Sequence, residues 1–320
     1  EHGFAQIVRR GSIGDWSGNP GDWGPILYDA VQEKKKHMSE ISDEEKLDYT
    51  WSNAFQMAMD SWHVSLAPGK FAQAPISATK VEMSPETATA KIKNLCRWFG
   101  AEDVGICEVT EDMKPFFYSI GRTQGTYTTG HKNYQEDKGR AIPWPYPYKY
   151  CIVMTDKCDA KTLDGLRGPL VEASTKIACA QSDFAPHYLE SIIRTLGYDA
   201  KANPFSNTDI MEEPFAVKAG IGELGRSGIV ITPFGAQFRL MEVFTNLPLV
   251  PDKPIDFGLQ EFCKVCKKCA ENCPAGAISN DDEPSEFVTT VKSIRWSQDG
   301  KKCLAYRLAY GCSTCQGVCP

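Results

Sequence analysis

The 320-residue sequence lacks several features that would assign it to other classes of protein. It has no run of 18 apolar residues, the minimum pattern of a membrane-spanning helix. Its first residues, EHGFAQIVRRGSIGDW, are polar and do not resemble a signal peptide. Basic residues are not in excess, because 35 Lys and Arg stand against 41 Asp and Glu, a formal net charge of −6. This balance disfavours a nucleic-acid partner, whose phosphates select a basic face.

Histidine is also scarce, with five residues in the chain. They are isolated from one another, so none has the spacing of a metal site: His2, His37, His63, His131 and His187. The sequence contains no internal repeat. Hydrophobic residues make up 42% and charged residues 24%, which is typical of a soluble globular protein with one large domain or two smaller ones.

Cysteine, by contrast, is abundant: the chain has 13, and eight of them lie within 263–319. The first run, Cys263-x2-Cys266-x2-Cys269-x3-Cys273-Pro274, has the spacing of bacterial ferredoxins. The second run, Cys312-x2-Cys315-x3-Cys319-Pro320, is one cysteine shorter, and Cys303 can supply the missing ligand. This pattern predicts two [4Fe–4S] clusters.

The spacing also predicts which thiolates share a cluster. Three cysteines at every third position wrap one cubane, and the fourth, fixed by a proline, points to the second. Cluster one is then held by Cys263, Cys266, Cys269 and Cys319, and cluster two by Cys273, Cys303, Cys312 and Cys315. Zinc ribbons would leave two cysteines of the first run unexplained. Disulfides would not cluster at such short gaps in a chain of this length.

Two neighbouring clusters form an electron relay, so we expect the preceding residues to hold the site that the electrons reach. We expect an N-terminal wrapping extension over 1–80, an α/β domain over 81–258 and a ferredoxin-like domain over 259–320. In the extension, the Gly/Pro-rich stretch 14–25 predicts a loop, and 43–63 predicts a short helix.

Within the α/β domain, Ser84 and Pro85 predict the start of a helix that ends before Gly100. Apolar runs predict strands at 104–109 and 150–155, separated from each other by an extended loop at 142–150. A long helix is expected over about 168–196, closed by Gly197. The two runs that flank Pro233 and Gly235 predict a hairpin.

The stretch EPFAVKAGIGELGRSGIVITPFGAQFRLMEVFTNLPLVPDKPIDFGLQEFCKVCKKCAENCPAGAI (213–278) resembles the corrinoid-dependent reductive dehalogenases of organohalide respiration. The part TNLPLVPDKPIDFG followed by FCxxCKKCAxxCP carries most of the resemblance, which is strong over 187–319 and fainter over 85–186. It implies an α/β, nitroreductase-like core that binds a base-off corrinoid (cobalamin-type), beside a ferredoxin-like domain with two clusters. The implied reaction replaces a halogen of a small organohalide by hydrogen.

The resemblance also implies three catalytic residues around the substrate. The family arginine falls on Arg239 of GAQFRL, although an arginine on the open face of a hairpin would fit that strand too. The family asparagine falls on Asn207 of FSNTDI, with Asn203 as the alternative because this loop is two residues longer. The family tyrosine falls on Cys179, and we expect this thiol to donate the proton unless another residue, such as Tyr306, replaces it.

Four glycines, Gly220, Gly222, Gly225 and Gly228, form a turn that we expect to pack against the corrinoid. The alternative is an ordinary Gly-rich loop that has no role in cofactor binding. The family also implies a reduced electron donor, a small membrane-anchor protein and export to the outer face of the cytoplasmic membrane. Because family members continue beyond the last Cys-Pro and this sequence begins without Met, we expect the chain to be trimmed at both ends.

Two competing functions fit the same cysteine pattern. An epoxyqueuosine reductase would share the cofactors but act on tRNA, which the net charge of −6 disfavours. A non-catalytic electron-transfer subunit would not need about 260 residues of α/β structure ahead of its clusters.

Overall fold

The computed structural model describes residues 23–49, 74–118, 120–121, 140–157, 167–203, 209–288 and 292–320, to which every structural statement here refers. Its helices are α1 (Trp23–Glu40), α2 (Pro85–Trp98), α3 (Pro169–Thr195), α4 (Glu212–Lys218), α5 (Leu259–Val265), α6 (Lys268–Glu271), α7 (Gly300–Tyr310) and α8 (Thr314–Gly317), with a 3₁₀ helix at Glu111–Phe116 and a helical stretch at 43–49. Its strands are β1 (Val104–Glu108), β2 (Ile120–Gly121), β3 (Arg140–Ala141), β4 (Tyr150–Lys157), β5 (Ala200–Asn203), β6 (Glu223–Leu224), β7 (Val230–Ile231), β8 (Phe238–Thr245), β9 (Ser285–Val288) and β10 (Lys292–Arg295).

The body is built on a four-stranded sheet in the order β1–β4–β8–β5, with antiparallel pairing throughout. Strand β8 is central, because it pairs with β4 on one side and β5 on the other. The register places Asp156 of β4 opposite Arg239 of β8, and Asn203 of β5 opposite Glu242 of β8. Side chains alternate between the two faces of each strand. The register therefore decides which polar groups share a face.

One face of the sheet is covered by α2 and α3. Ser84 caps α2 by accepting a hydrogen bond from the Thr87 backbone N–H at 3.2 Å, as the sequence predicted. Its apolar stripe joins that of α3 and the inward side chains of β4 and β8 in one core: Ala88, Ile92, Ile152, Met154, Leu189, Ile193, Met241 and Val243. Helix α3 ends where predicted, with Gly197 at φ +88.

The opposite face is packed by α4 and by aromatic side chains. Phe215 of α4 lies edge-on to Phe244 of β8, with ring centroids 5.8 Å apart, and Phe117 and Tyr146 complete the group. These rings bury large apolar areas and prefer such tilted contacts. The central sheet is thus enclosed on both faces, which agrees with the α/β expectation.

Two local predictions from the sequence are wrong. The runs that flank Pro233 and Gly235 do not form a hairpin ladder: the chain turns at Thr232–Gly235, but β7 pairs back to β6, whereas β8 enters the main sheet. Long-range pairing has overridden the local pattern. The loop expected over 14–25 ends earlier than predicted, because α1 begins at Trp23 with Pro25 in its first turn, where a missing N–H is tolerated. The remainder of that stretch lies outside the described residues.

The C-terminal segment packs against both the body and α1. Helix α1 lies along α7, where the Tyr310 hydroxyl donates to Glu33 Oε1 at 2.5 Å. At the start of α3, the Gly168 N–H donates to the Gly311 carbonyl at 3.2 Å, and Arg167 forms an isolated β-bridge with Cys312. Gly311 adopts φ +64, and a Cβ there would lie 2.7 Å from the Gly168 oxygen. The backbone itself therefore joins the two regions, while the domain boundaries at 80 and 258 stay predictions.

No helix among the described ranges combines the length and the apolar character needed to cross a membrane.

Candidate cluster and substrate sites

Short helices position the thiols of the first cysteine run. Cys263 lies in α5, Cys266 ends that helix as its C-cap, and Cys269 lies in α6. The Ala277 N–H donates to the Cys273 sulfur at 3.3 Å, which fixes the position of that sulfur.

The thiols of the first set lie close enough to affect one another's pKa. Burial, and then the neighbouring thiols of Cys263 and Cys319, raise the pKa of Cys269 to about 11. Burial, together with the thiols of Cys263 and Cys266, also raises the pKa of Cys319. These four cysteines therefore lie together. They are the set that the spacing predicted for cluster one.

The second set is gathered in the same way. Burial raises the pKa of Cys303, and so do the thiols of Cys312 and Cys273, against an opposing effect of Arg307. The pKa of Cys315 is raised by burial, and further by Cys303, Cys312, Cys269 and Cys273. The two sets thus meet between Cys315 and Cys269. The crossed ligand assignment stays a prediction, which this grouping fits.

Within the part of the chain that the structure describes, no group of three or more His, Cys, Asp or Glu side chains is placed to hold a single metal ion. A cubane binds each thiolate through a different iron, so its four sulfur ligands need not converge on one point. The donor chemistry and the two sets of four thiols therefore fit two [4Fe–4S] clusters.

A buried arginine beside the first set was missed at the sequence level. Arg226 follows β6 in the turn GELGRSG and is 1% exposed. Its Nε and Nη2 donate to the Cys263 carbonyl at 3.1 and 2.7 Å, and Nη1 donates to the carbonyls of Ser279 and Asp281 at 3.0 and 2.7 Å. The guanidinium also lies 4.5 Å from the centre of the Trp296 ring. A lone arginine within a glycine-rich turn was the available signal.

A second arginine lies beside the other set. Arg307 is one turn after Cys303 on α7, and its Nε is 3.8 Å from Glu172 Oε2 on α3. Burial opposes its charge, but Glu172, Cys179, Cys303 and Cys312 outweigh that effect and raise the pKa of Arg307. Arg307 therefore links the second thiol set to the α3 helix of the body.

The four predicted cofactor glycines are explained by contacts within the protein. A Cβ at Gly220, which has φ +74, would lie 2.4 Å from the Lys253 carbonyl oxygen. A Cβ at Gly222 would lie 2.2 Å from the Ile231 oxygen, and one at Gly225 would lie 2.5 Å from Ile231 Cδ1. A Cβ at Gly228 would lie 2.7 Å from Gln298 Oε1. Close packing thus accounts for glycine at these positions, and their contact with a corrinoid stays a prediction.

Arg239, the predicted halide-binding residue, is the second residue of β8 and is half-buried. It shares its face with Met241 and Val243, which pack against α3, and it lies opposite Asp156. The alternative was a surface arginine on the open face of a hairpin, and that hairpin is wrong, because β8 pairs with β4 and β5 in the main sheet and Arg239 is half-buried. The catalytic role itself stays a prediction.

Cys179, the predicted proton donor, is 1% exposed on α3. The Ser182 hydroxyl donates to its carbonyl at 2.8 Å, and its thiol is within electrostatic reach of Arg307. Tyr188 is 44% exposed and packs on Phe184, away from this position. The Tyr306 hydroxyl, the next candidate, accepts a hydrogen bond from Arg167 at 3.3 Å.

Asn207 lies outside the described residues. Asn203, its alternative, is fully buried, and its amide is engaged at both ends. Its Nδ2 donates to Glu242 Oε2 at 2.9 Å, and its Oδ1 accepts from the Asp209 N–H at 2.7 Å. Asn203 therefore supports the fold, and the catalytic role of Asn207 stays a prediction.

Glu242 is a second buried group that the sequence did not single out. Burial raises its pKa to about 8, with a smaller contribution from Glu213 and Cys107 and an opposing one from the Asn203 hydrogen bond. Its Oε1 has no hydrogen-bond partner among the described residues. Burial within the sheet therefore favours the protonated, neutral form of Glu242.

The predicted residues approach one end of the sheet. Strand β8 begins at that end, and β4 and β5 finish there, because all pairs are antiparallel. The cluster region abuts this end: Gln316 Nε2 donates to the Ala236 carbonyl at 3.0 Å, just before β8. Arg307 of the cluster region also lies within electrostatic reach of Cys179 on α3. The cluster region therefore contacts both α3 and the sheet end at which β8 begins, while a substrate site beside Arg239 stays a prediction.

Residues 262–320 match the family model of the 4Fe–4S double cluster binding domain. This stretch is therefore a domain that binds two [4Fe–4S] clusters. The tetrachloroethene reductive dehalogenase of Sulfurospirillum multivorans is 33% identical over 257 residues, 74% of this chain and 50% of that protein. The chain belongs to the reductive dehalogenase family.

Two further comparisons are consistent with that assignment. A solved reductive dehalogenase, from work on B12-dependent dehalogenation, superposes with a TM-score of 0.67 and 25% identity over 84% of this chain and 36% of that chain. The epoxyqueuosine reductase of Bacillus subtilis is 32% identical over 139 residues, 41% of this chain and 34% of that protein. The predicted α/β fold class with its cluster domain is confirmed. The chain spans about half the length of the curated relative from Sulfurospirillum.

Proposed function

We propose that the protein is the catalytic part of a reductive dehalogenase that acts on a small organohalide. The reaction is R–X + 2e⁻ + H⁺ → R–H + X⁻, which breaks one carbon–halogen bond and forms one carbon–hydrogen bond. The observation that carries this proposal is the contact between a two-cluster domain and the sheet end that carries Arg239. Cysteine thiols gathered in two sets supply the electron path, and the body supplies the substrate site.

A corrinoid is the cofactor we propose for the substrate site, since the solved relative concerns B12-dependent dehalogenation. The residues present fit this group in their chemistry. The Ser174 hydroxyl on α3 is buried and has no hydrogen-bond partner among the described residues, so it can bond one of the amide side chains of a corrin. When bound, the corrinoid would supply the reduced cobalt that cleaves the carbon–halogen bond.

The protein's own groups would perform three tasks. The half-buried Arg239 would stabilise the departing halide, because a cation in a site of low dielectric stabilises developing negative charge. Cys179 would hold the proton at its sulfur, and Arg307 would stabilise the thiolate left after the proton transfer. The helices and aromatic rings on both faces of the sheet would exclude water from the site.

Export to the outer face of the cytoplasmic membrane, a small membrane-anchor partner and a separate reduced electron donor complete the proposal. Their support is family membership alone. An epoxyqueuosine reductase is the weaker alternative, because its match spans 41% of the chain and the net charge is −6. A pure electron-transfer subunit is also weaker, because it would not need an α/β body ahead of its clusters.

The test is a metal and halide assay on protein assembled anaerobically with a corrinoid. We expect about one cobalt and eight iron atoms per chain, together with halide release from a chloroethene, chloroalkane or chloroarene when a low-potential reductant is supplied. Protein assembled without corrinoid is the control, and it should release no halide. Iron without any cobalt binding would instead support the electron-transfer subunit.

A further inference from the structure

The two cysteine sets have different charges around them, because Arg226 places a positive charge beside the first set only. All four of its hydrogen bonds end on carbonyl oxygens, those of Cys263, Ser279 and Asp281. Carbonyls orient a guanidinium but do not cancel its charge. The side chain is 1% exposed, so solvent and salt screen it weakly. A nearly full positive charge is therefore held next to the first set.

Two other charges face the first set. Lys268 lies near Cys319 and adds positive charge. Glu223 lies near Cys263 and opposes it, but its Oε2 accepts hydrogen bonds from the Phe257 and Leu259 N–H groups at 2.8 and 3.2 Å, which disperse its charge. The balance around the first set is positive.

The second set has a different balance. Its arginine, Arg307, is paired with Glu172 at 3.8 Å, so the two charges largely cancel at a distance. Asp299 adds a negative charge near Cys303. Arg167, which is exposed, lies near Cys312 and adds a positive charge that offsets Asp299. The second set therefore faces a nearly neutral environment, whereas a buried and uncancelled positive charge lies beside the first set.

Reduction of a [4Fe–4S] cluster adds one negative charge, and nearby charge is one of the factors that set its potential. A buried cation stabilises the reduced form because the Coulomb interaction is strong where the dielectric is low. From this geometry we infer that Arg226 raises the reduction potential of cluster one above that of cluster two, so that cluster one accepts the first electron. Arg226 is thus a positioning and tuning residue rather than a ligand.

Potentiometric titration of the fully assembled holoprotein, monitored by EPR, tests this inference. The parent should show two separate reduction steps. We expect Arg226→Met to make the higher-potential step at least about tenfold less favourable, which is about 59 mV for a one-electron couple, and to leave the lower step in place. Arg226→Lys keeps the charge and should restore most of the shift. A purely structural role would move neither potential.

Arg307→Met is the matched control, since it removes the arginine beside the other set. It should shift only the lower-potential step. The inference is overturned if Arg226→Met moves the lower step, or if it moves neither step while iron content stays at the parent level.

A second variant covers the case in which Arg226→Met fails to assemble its clusters. Glu223→Gln removes the opposing charge and keeps an oxygen that can accept a backbone hydrogen bond. The higher-potential step should then rise, and an unchanged or lowered step would overturn the inference. None of these measurements uses a substrate. Failure here therefore leaves the proposed dehalogenase activity untouched, and loss of halide release would not affect this inference.

Discussion

The cluster domain and the α/β body encode their sites in different ways. In 262–320, the ligands within each cysteine run are three or four residues apart, and Cys303 alone lies apart from the runs, so short stretches of sequence determine most of the chemistry. In the body, the predicted site residues Cys179 on α3 and Arg239 on β8 come from distant parts of the chain, and α3 packs on the face of the sheet to which β8 contributes Met241 and Val243. A ligand motif can thus be recognised in a short stretch of sequence, whereas a substrate site depends on how distant segments of the chain pack together.

The largest expected effect tests whether the cluster ligands can be recognised from the cysteine runs in the sequence. Cys303→Ala should lose one cluster, about four of eight iron atoms, because this thiol completes the second set. Iron and acid-labile sulfide analysis measures the loss. The matched control is Cys96→Ala, a fully buried cysteine of the helix core that no cluster uses. Retention of both clusters in Cys303→Ala would break the crossed assignment at this position.

A variant of Arg239 tests whether the substrate site lies at the position predicted in the α/β body. Arg239→Leu should keep iron and corrinoid but lower kcat by about 10²–10³, the usual cost of removing a donor that stabilises developing charge. Arg239→Lys keeps a positive charge on β8 and should recover part of the rate. Turnover assays with cofactor analysis separate the two variants. A fully active Arg239→Leu would show that the site lies elsewhere on the sheet.

Cys179 gives a further test, because the resemblance to the family predicts that it replaces the family's tyrosine. Cys179→Ala should lower turnover by about 10²-fold, at the low end for general acid catalysis, with cofactors still bound. Cys179→Ser keeps a hydroxyl donor and should be less affected. If Cys179→Ala turns over at the parent rate, the proton comes from another group, and Tyr306→Phe is the next variant to measure.

The smallest expected effect concerns Glu242 and the stability of the sheet. Its folded pKa of about 8 exceeds the unfolded value of 4.5, so the folded state binds more protons between these pH values. Its contribution to stability is therefore full below pH 4.5 and is lost as the pH rises toward 8. Glu242→Gln, which is neutral at every pH, should flatten the pH dependence of Tm over pH 5–9. An unchanged slope would place the effect on other groups.

The sequence predicted the elements with strong local signals. The Ser84 cap, the glycine-closed α3 and the two cysteine runs follow from spacing and turn chemistry, and the structure places them as expected. The predicted hairpin at Pro233 was wrong because β8 forms its backbone ladders with β4 and β5 inside the main sheet. Arg226 was missed because its partners are carbonyls from three distant residues, which no sequence pattern reports.

The backbone bond between Gly168 and Gly311 has a consequence for electron tunnelling. Tunnelling rates fall steeply with distance, so a relay works reproducibly only if the donor and acceptor keep a constant separation. Long side chains at a domain contact would let that separation fluctuate by several rotamers. Here the start of α3 and the loop before Cys312 touch through main-chain atoms, with no side chain between them. This main-chain hydrogen bond consequently limits changes in the distance from the second thiol set to Cys179, which lies on the helix that begins at this contact.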